Sequence, residues 1–231
     1  MFLSIIVPAY NEETRLPKTL ELINSYLLAK SFLVEVIIVD NASSDKTFAI
    51  ASDFAQKSPN FRVIQEFTKG KGAAVRTGML NSQGDWRFMC DADLSMPIEQ
   101  LDRFINIVPN YDIALASREV KGSIRLGEPR SRHLNGRIFN IFTRLYTNID
   151  INDTQCGFKC FSSSVAERLF ENLTTTGWAF DVEILLLAKK YGLRVIEVPI
   201  TWYYMQESKV RPINDAFSMI KEVVRIKSRM Q

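Results

Sequence analysis

Two acidic residues separated by a single alanine follow a short apolar segment of the chain. Asp91 and Asp93 flank Ala92 directly after residues 86–90, which are typical of a β-strand. Residues two apart on an extended strand point to the same side, so both carboxylates can converge on one divalent cation. Hard oxygen ligands suit Mg²⁺ or Mn²⁺, and such an ion would neutralise a diphosphate group. Two nearby acids are more often a solvated turn, but their place at a strand end favours metal binding.

Three further polar segments follow apolar runs or open a predicted helix. Residues 8–12 come after the first predicted strand, and Asp40 comes after the second. An aspartate at a strand end can accept hydrogen bonds from a nucleobase N–H or from ribose hydroxyls, although a turn or cap is the alternative interpretation. Residues 69–74 form a Gly-rich turn whose backbone N–H groups and lysines could reach phosphate. The spacings of a P-loop and of Gly-x-Gly-x-x-Gly are absent, which disfavours nucleotide hydrolysis and dinucleotide binding.

Periodicity predicts alternating strands and helices over the first half of the chain. Strands are predicted at residues 4–7, 34–39, 62–64, 86–90 and 113–116. Helical patterns lie between them: residues 16–27, a helix through Phe48 that Ser44 would cap, one that begins near Lys71, and one with Pro97 near its first position. This alternation predicts an α/β fold with a mostly parallel sheet flanked by helices. Ligands of such sheets bind beyond the carboxyl ends of the strands.

The second half of the chain is less regular but is predicted to belong to the same compact unit. It begins with a basic stretch at 121–132 and an amphipathic helix at 134–149. A polar turn at 153–158, helices at 164–172 and 178–190, a strand at 194–199 and a basic helix from about Asn214 follow. We interpret the boundary near residue 120 as a change of role within one unit of residues 1–231.

The composition excludes several classes of protein. The chain has 231 residues, of which 46% are hydrophobic and 24% charged, as in ordinary soluble folded proteins. Three cysteines and one histidine provide neither a disulfide framework nor a zinc quartet, so we expect a cytoplasmic protein. Neither a signal peptide nor a membrane span is predicted. The net charge of +3 is too small to suggest nucleic acid as a partner.

Positive charge is concentrated in one segment between Arg118 and Arg144. This segment has two acidic residues, Glu119 and Glu128, and a net charge of +5, while the rest of the chain sums to −2. Its seven basic residues are Arg118, Lys121, Arg125, Arg130, Arg132, Arg137 and Arg144. A local basic zone in a balanced protein indicates one anionic partner at one place.

Taken together, the motifs resemble family 2 glycosyltransferases of the GT-A fold, a Rossmann-like domain that uses nucleotide diphosphate-sugars. The resemblance is carried by residues 4–12, Val39, Asp40, residues 70–72 and residues 91–93, and it spans nearly the whole chain. It implies that residues 1–120 bind the donor, that residues 121–231 bind the acceptor, and that transfer inverts the anomeric centre. It also implies that Asp91 and Asp93 hold the ribose and the metal–diphosphate. The implied nucleotide-sugar site consists of Pro8, Ala9, Tyr10, Glu12, Asp40, Lys71, Asp91, Ala92 and Asp93.

Within that family, the second half is similar to the dolichyl-phosphate sugar synthases, above all to dolichyl-phosphate β-glucosyltransferases. The similarity is carried by Ser117, Arg118, residues 153–159, residues 180–183 and residues 208–210. The related mannosyl-phosphate synthases hold the lipid phosphate with two arginines and a hydroxyl. Arg118 matches the first arginine and Arg132 the second, with Arg130 as the alternative.

Two positions depart from the pattern of the mannosyl enzymes. Gly136 stands where the third phosphate ligand, a hydroxyl, is expected. Ser95 stands where those enzymes have a glutamine that binds the metal, which disfavours GDP-mannose as donor.

The chemistry of the residues agrees with a phosphate acceptor. A phosphate monoester is already largely dianionic at neutral pH and needs positioning by arginine forks more than deprotonation. Asp153 is a candidate base for a hydroxyl acceptor, or equally a structural turn residue. Asp181 and Glu183 either complement the dipole of the helix that they begin or contact the acceptor.

The amphipathic helix at 134–149 has two interpretations. Its apolar side would pack on the protein core, as such helices normally do. Alternatively Phe139, Phe142 and Tyr146 would rest with the basic rim on an anionic membrane. The C-terminal helix, with Lys221, Arg225, Lys227 and Arg229, has the same two interpretations. The residues assigned to the first, apolar side are Leu134, Ile138, Ile141, Phe142, Leu145 and Ile149.

We therefore expect an inverting glycosyltransferase that moves glucose from UDP-glucose onto a polyprenyl- or dolichyl-type phosphate, with Asp93, Arg118, Arg132 and Asp153 as catalytic residues. It would be peripheral at the cytosolic face of a membrane. The alternatives are a soluble family 2 enzyme that acts on a saccharide or protein hydroxyl, a GDP-mannose-dependent polyprenyl-phosphate mannosyltransferase, and a non-catalytic nucleotide-sugar-binding protein. The intact Asp91–Asp93 pair argues against the last.

Overall fold

The structure, a computed structural model, describes residues 2–205 and 212–230, with backbone alone for residues 212–217. The strands are β1 (Phe2–Ala9), β2 (Leu33–Asp40), β3 (Phe61–Gln65), β4 (Trp86–Met89), β5 (Ile113–Ser117), β6 (Ile124–Leu126), β7 (Lys159–Ser162), β8 (Val195–Pro199) and β9 (Thr201–Tyr203). The helices are α1 (Leu16–Leu28), α2 (Thr47–Lys57), α3 (Lys71–Leu80), α4 (Leu101–Ile105), α5 (Arg130–Thr147), α6 (Ser163–Glu171), α7 (Phe180–Lys190) and α8 (Pro212–Met230). Residues 208–210, which contributed to the family resemblance, lie outside the described residues.

Seven strands form one mixed, mostly parallel sheet in the order β3-β2-β1-β4-β7-β5-β8. β7 is antiparallel to both of its neighbours, β4 and β5, and the other pairs in this sheet are parallel. β7 belongs to the second half of the chain but lies between two strands of the first half. The two halves therefore share one sheet, and their assignment to donor and acceptor remains a prediction.

The strands are almost continuously apolar because both faces of the sheet are covered. In β1, Ile5 and Val7 belong to the hydrophobic cluster on one face, and Ile6 belongs to the cluster on the other. Consecutive strand residues point to opposite faces, so burial of both faces removes the usual alternation of apolar and polar residues. This arrangement confirms the predicted sheet with helices on both sides.

Three strands were missed by the sequence analysis. β6 and β9 form a separate two-stranded sheet of three residues each, too short to give a periodic signal. β7 begins with Lys159, a residue rarely found in the middle of a sheet, and its side chain is only 1% exposed.

Two helix predictions were also wrong in detail. α2 begins at Thr47 after Lys46, so Ser44 does not cap it. The backbone N–H of Ser44 instead donates to Oδ1 of Asn11 (2.8 Å), and Oδ1 of Asp45 accepts the N–H of Thr47 (2.9 Å). The helix predicted after Pro97 consists of the short α4 between two single 3₁₀ turns, Ile98–Gln100 and Val108–Asn110.

Helix α5 leaves an apolar stripe uncovered, which contradicts its predicted packing on the core. Leu134, Ile138, Ile141 and Leu145 are 59%, 57%, 48% and 79% exposed. Phe139 and Tyr146, which the alternative interpretation placed on a membrane, pack against the core instead, and Lys227 of α8 lies over the Tyr146 ring (4.5 Å). Ile149 of the predicted apolar side is buried, but it follows the end of α5.

Helix α8 packs on the core through Val223 and Ile226, as the first interpretation of that helix predicted. Within the described part of the chain, no helix is both long and apolar enough to cross a bilayer.

Two helix-interior glycines give opposite predictions for stability. A Cβ on Gly78 of α3 would lie 2.3 Å from Cγ2 of Ile6 and 3.0 Å from Cγ2 of Val39, whereas one on Gly136 of α5 would meet nothing within 4 Å. Overpacking a core costs about 1–3 kcal/mol, while alanine in an open helix gains about 0.5–1 kcal/mol over glycine. We expect urea unfolding to show Gly78→Ala less stable than the wild type and Gly136→Ala equally or more stable. A Gly78→Ala protein as stable as Gly136→Ala would contradict this close packing of α3.

Candidate active site

A cavity of about 650 Å³ opens at the carboxyl ends of the parallel strands. Its wall is formed by the segments that follow β1, β2, β4 and β5, together with residues of α5 and α7. Of the predicted site residues, it is lined by Pro8, Ala9, Tyr10, Glu12, Lys71, Asp91, Ala92, Asp93, Arg118, Arg132 and Asp153. Asp40 lies outside this lining, although the next residue, Asn41, belongs to it. Arg130, the alternative to Arg132, is exposed and does not line the cavity.

The loops that follow β1 and β2 are joined by backbone-to-side-chain hydrogen bonds. The N–H of Asn11 donates to Oγ of Ser43 (3.0 Å), and the N–H of Glu12 donates to Oγ1 of Thr47 (2.7 Å). Asn11 has a φ of 52°, in the left-handed region that asparagine tolerates better than most residues. The two loops thus form one rigid wall of the cavity.

Asn41 connects this wall to the start of α3. Its Nδ2 donates to the carbonyls of Glu66 (3.1 Å) and Thr68 (2.8 Å), and its Oδ1 accepts the N–H of Gly70 (2.8 Å). These bonds hold the backbone immediately before Lys71. Asn41 was not among the predicted site residues.

The glycines around Lys71 are explained by close backbone packing. A Cβ on Gly70, whose φ is +129°, would lie 2.2 Å from the carbonyl oxygen of Thr176, and one on Gly72 would lie 2.5 Å from that of Thr175. The N–H groups of Gly70 and Ala73 already donate to Asn41 and Thr176. Two of the N–H groups expected to reach phosphate are therefore used within the protein.

Lys71 makes an ion pair with the first of the two paired acids. Its Nζ lies 2.6 Å from Oδ1 of Asp91 and 5.4 Å from the centroid of the Trp178 ring. Burial lowers the pKa of Lys71, but the charges of Asp91 and Asp181 outweigh this effect and raise the pKa above its usual value. Burial and the neighbouring charge of Asp91 raise the pKa of Asp93, whose Oδ1 accepts the N–H of Ser95 (3.0 Å).

Asp91 is also fixed by a motif from the second half of the chain. A Cβ on Gly157 would lie 1.6 Å from Oδ2 of Asp91, so only glycine fits there. Nearby, Nζ of Lys159 donates to the carbonyl of Cys156 (2.5 Å) and to Oδ1 of Asp181 (2.7 Å).

Asp181 therefore does more than complement a helix dipole, because it neutralises a buried lysine and lines the cavity. Glu183 lies in the first turn of α7 and does not line the cavity. Its carboxylate accepts hydrogen bonds from the hydroxyl of Thr174 (2.8 Å) and from the N–H of Thr175 (2.7 Å).

The carboxylates of Asp91 and Asp93 are the oxygen donors that a divalent cation would meet in this cavity. Both residues line it, and hard carboxylate oxygens suit Mg²⁺ or Mn²⁺. No group of three or more histidine, cysteine or acidic side chains suited to a metal occurs among the residues that the structure describes. The donor set fits a cation that takes its remaining ligands from substrate and water, as Mg²⁺ commonly does.

Arg118, which also lines the cavity, is held by Asp153. Nε and Nη2 of Arg118 donate to the two carboxylate oxygens of Asp153 at 2.7 and 2.9 Å. Nη1 of Arg118 makes no hydrogen bond to any residue in the described part of the chain. Burial alone would raise the pKa of Asp153, but the charge and hydrogen bonds of Arg118 hold this pKa at about 2. Asp153 is thus an ionised anchor for an arginine.

Aromatic rings lie beside three of the arginines that line the cavity. The guanidinium groups of Arg118 and Arg125 lie 5.4 and 5.9 Å from the Trp202 ring, and that of Arg132 lies 5.2 Å from the Tyr204 ring. Arg125 also pairs with Glu119 and Glu128, the two acids of the basic zone.

Arg125 was predicted only as part of the basic zone, and neither Trp178 nor Trp202 was predicted to belong to the site, although all three line the cavity. No local pattern marks these residues, which reach the cavity through the tertiary fold.

Asp40 is buried at the end of β2 without a partner. It is 1% exposed, and neither carboxylate oxygen makes a hydrogen bond to any described residue. An unpaired buried carboxylate is costly, so such groups require explanation. Its neighbours across the sheet are Ala9 of β1 and Gln65 of β3.

The sequence and the fold have clear relatives. The chain matches the family described as "Glycosyl transferase family 2" over residues 4–170. It is 36% identical to a dolichyl-phosphate β-glucosyltransferase of Dictyostelium discoideum over 99% of this chain and 75% of that protein. It is 35% identical to the enzyme of the same name from Homo sapiens over 98% of this chain and 75% of that protein.

Two solved structures share the fold at lower identity. Glucosyl-3-phosphoglycerate synthase of Mycobacterium tuberculosis, in a complex with Mn²⁺, UDP and glucosyl-3-phosphoglycerate, superposes with a TM-score of 0.71 at 17% identity, over 99% of this chain and 79% of the other. Mannosyl-3-phosphoglycerate synthase of Rubrobacter xylanophilus gives a TM-score of 0.74 at 20% identity, over 99% and 73%. The predicted GT-A fold is confirmed, and the family match, together with relatives that align with nearly all of this chain, shows that the chain belongs to glycosyltransferase family 2.

Proposed function

We propose that this glycosyltransferase moves glucose from UDP-glucose to a polyprenyl-type lipid phosphate with inversion of the anomeric centre. The observation that carries the proposal is that one cavity is lined both by the Asp91–Asp93 pair and by two arginines, Arg118 and Arg132. Such a cavity suits two phosphorylated ligands. A phosphate oxygen of the acceptor would attack the anomeric carbon while the bond to the UDP oxygen breaks. The relatives with more than 30% identity over nearly all of this chain, named dolichyl-phosphate β-glucosyltransferases, support the sugar and the acceptor.

The unpartnered carboxylate of Asp40 supports a nucleoside site. It lies beside the wall formed by Pro8, Ala9 and Tyr10, at the carboxyl end of β2. A base N–H or a ribose hydroxyl would supply the missing hydrogen bonds. We infer that the base is uracil, because Ser95 stands at the position of the glutamine of the mannosyl enzymes and because the named relatives transfer glucose.

Asp40→Asn should separate nucleotide binding from stability. Calorimetric titration of the wild type should show tighter binding of UDP than of GDP. Because a hydrogen bond to a charged group contributes about 1.5–3 kcal/mol, Asp40→Asn should bind UDP roughly tenfold to a hundredfold more weakly. Its free energy of unfolding should not fall, since a neutral amide is cheaper to bury than an unpaired carboxylate. Tighter GDP binding would contradict the assigned donor, and a loss of stability with unchanged UDP affinity would contradict the role of Asp40.

We further propose that Asp91 and Asp93 hold Mg²⁺ or Mn²⁺ together with the diphosphate. The Mn²⁺ and UDP in the mycobacterial complex of the same fold agree with this assignment. The cation, when bound, would supply positive charge against the diphosphate leaving group. The protein would contribute the carboxylates of Asp91 and Asp93, the first of which packs against Gly157.

On the acceptor side, Asp153 would position Arg118 and would not act as a base. Both of its oxygens are engaged by Arg118, and its pKa of about 2 makes it a poor proton acceptor. A phosphate acceptor needs no base, whereas a sugar or protein hydroxyl does. The alternative of a hydroxyl acceptor therefore loses its candidate base. A bound phosphate would meet Nη1 of Arg118 and the guanidinium of Arg132.

Arg118→Lys and Arg118→Ala should both lower transfer of labelled glucose to polyprenyl phosphate by one to two orders of magnitude. The reason is that each charge-assisted contact contributes about 1.5–3 kcal/mol and that lysine cannot keep the two-point contact with Asp153. UDP affinity should stay unchanged. Arg194→Lys is the matched control, because Arg194 makes the same two-point pair with Asp112 on the exposed surface at the start of β8. Wild-type transfer by Arg118→Ala, or transfer to a free sugar hydroxyl alone, would favour the soluble alternative.

We propose that the exposed stripe of α5 lies on an anionic membrane at the cytosolic face. α5 contains four arginines and no acidic residue. Arg132, Gly136 and Asn140 of the same helix line the cavity, about half a turn away from Leu134 and Ile138. A lipid acceptor with its phosphate in the cavity and its chain in a bilayer would place this helix at the interface. The three free, buried cysteines are in keeping with a reducing compartment.

The double variant Ile138→Ser/Leu145→Ser should sediment at least tenfold less with vesicles that contain phosphatidylserine, because it removes apolar area from the interface. Binding of the wild type should also weaken as salt is added. Leu28→Ser/Leu33→Ser is the control, since these leucines are 81% and 74% exposed at the end of α1 and at the amino end of β2, whereas the cavity opens at the carboxyl ends of the strands. Equal sedimentation of both double variants would show that the stripe is not the membrane-facing surface.

A further inference from the structure

The ammonium group of Lys71 occupies the position that a cation on Asp91 would need. It lies 2.6 Å from Oδ1 of Asp91, and the Lys71 side chain is 17% exposed. Oδ2 of Asp91 faces Gly157, where even a methyl group would not fit. Asp91 thus cannot easily turn away from Lys71 to receive a metal.

The two other acidic residues near Lys71, Asp93 and Asp181, do not form a second ion pair with it among the described contacts. Asp181 is already paired with Lys159, whose side chain is 1% exposed. Asp93 accepts the N–H of Ser95. Asp91, Asp93 and Asp181 are therefore balanced by Lys71 and Lys159 alone among the described contacts. If the Lys71 side chain moved away from Asp91 and no other anion were present, its ammonium group would remain unpaired in a mostly buried site, which is costly.

The backbone of Lys71 is fixed, whereas its side chain has four rotatable bonds. Gly70 donates to Asn41 and Ala73 donates to Thr176, so the first turn of α3 cannot shift. A change of partner would require only rotation of the side chain within the cavity. A diphosphate bound there carries the negative charge that would receive the ammonium group.

We propose that Lys71 is an internal counter-ion that blocks Asp91 in the free enzyme and moves to the diphosphate when metal and nucleotide bind together. This inference rests on the proposed donor site and deepens it. Two cations cannot share Asp91 at contact distance without strong repulsion. Lys71 thus makes metal binding depend on the nucleotide, so that the free protein holds Mn²⁺ weakly.

Titration with Mn²⁺, followed by the electron paramagnetic resonance of the free ion, tests this exchange. For the wild type, we expect the affinity for Mn²⁺ to rise at least tenfold when UDP is present. Lys71→Met and Lys71→Gln should bind Mn²⁺ at least tenfold more tightly than the wild type without UDP, and UDP should increase that affinity less than it does in the wild type. Lys71→Arg keeps the positive charge and should bind Mn²⁺ as weakly as the wild type without UDP.

Lys69→Met is the matched control, because Lys69 also lines the cavity but is exposed and makes no ion pair among the described residues. Its Mn²⁺ affinity without UDP should stay within twofold of the wild type. Asp93→Ala should abolish Mn²⁺ binding in all conditions, which verifies the location of the ion.

Weaker or unchanged Mn²⁺ binding by Lys71→Met and Lys71→Gln without UDP would overturn the proposal. Such a result would mean that Lys71 only holds Asp91 in position, because removal of a positioning residue does not increase the affinity for the metal. Failure of the wild type to bind UDP would instead contradict the proposed donor. The comparison of Mn²⁺ affinities without nucleotide does not depend on that result.

Discussion

The pair between Lys159 and Asp181 is buried beneath the cavity, and the arrangement of the site depends on it. Lys159 begins the central antiparallel strand β7, and Asp181 lies in the first turn of α7. Lys159 also donates to the carbonyl of Cys156, which places Gly157 against Asp91. Removal of one partner from a buried pair typically costs about 3–5 kcal/mol, because the other charge is left without compensation. The pair therefore joins the second half of the chain to the carboxylates of the first.

The same physical constraint recurs around the cavity. Lys71 is paired with Asp91, Arg118 with Asp153, and Arg125 with Glu119 and Glu128. Burial of a charge is tolerable only with a partner, so a site built for charged ligands must keep its own charges paired until the ligands arrive. Asp40 is the exception, because neither of its carboxylate oxygens has a hydrogen-bond partner among the described residues, and the proposed nucleoside site rests on that observation.

Helix α5 contributes to the cavity and to the surface at once. One side provides Arg132 and Asn140 to the cavity wall, and another presents a stripe from Leu134 to Leu145 to solvent. Gly136, on the inner side, leaves open space where the mannosyl enzymes have a hydroxyl.

The sequence by itself determined the class of fold, the family and the end of the sheet at which the motifs assigned to the donor lie. Strand and helix periods are local properties, and the carboxyl ends of parallel strands meet at one edge, so Pro8, Asp40 and Asp91 could be placed together from the sequence. Of Arg132 and its alternative Arg130, only Arg132 lines the cavity, and its role in binding phosphate remains a prediction.

Only the tertiary structure decided which charges pair and which apolar surfaces are covered. Both oxygens of Asp153 accept hydrogen bonds from Arg118, a pairing that could not be predicted because contact between distant positions leaves no trace in local spacing. Lys159 concealed a central strand, since its burial depends on Asp181 in another element. The period of α5 showed that the helix has an apolar side, but a period cannot reveal whether another element packs on that side.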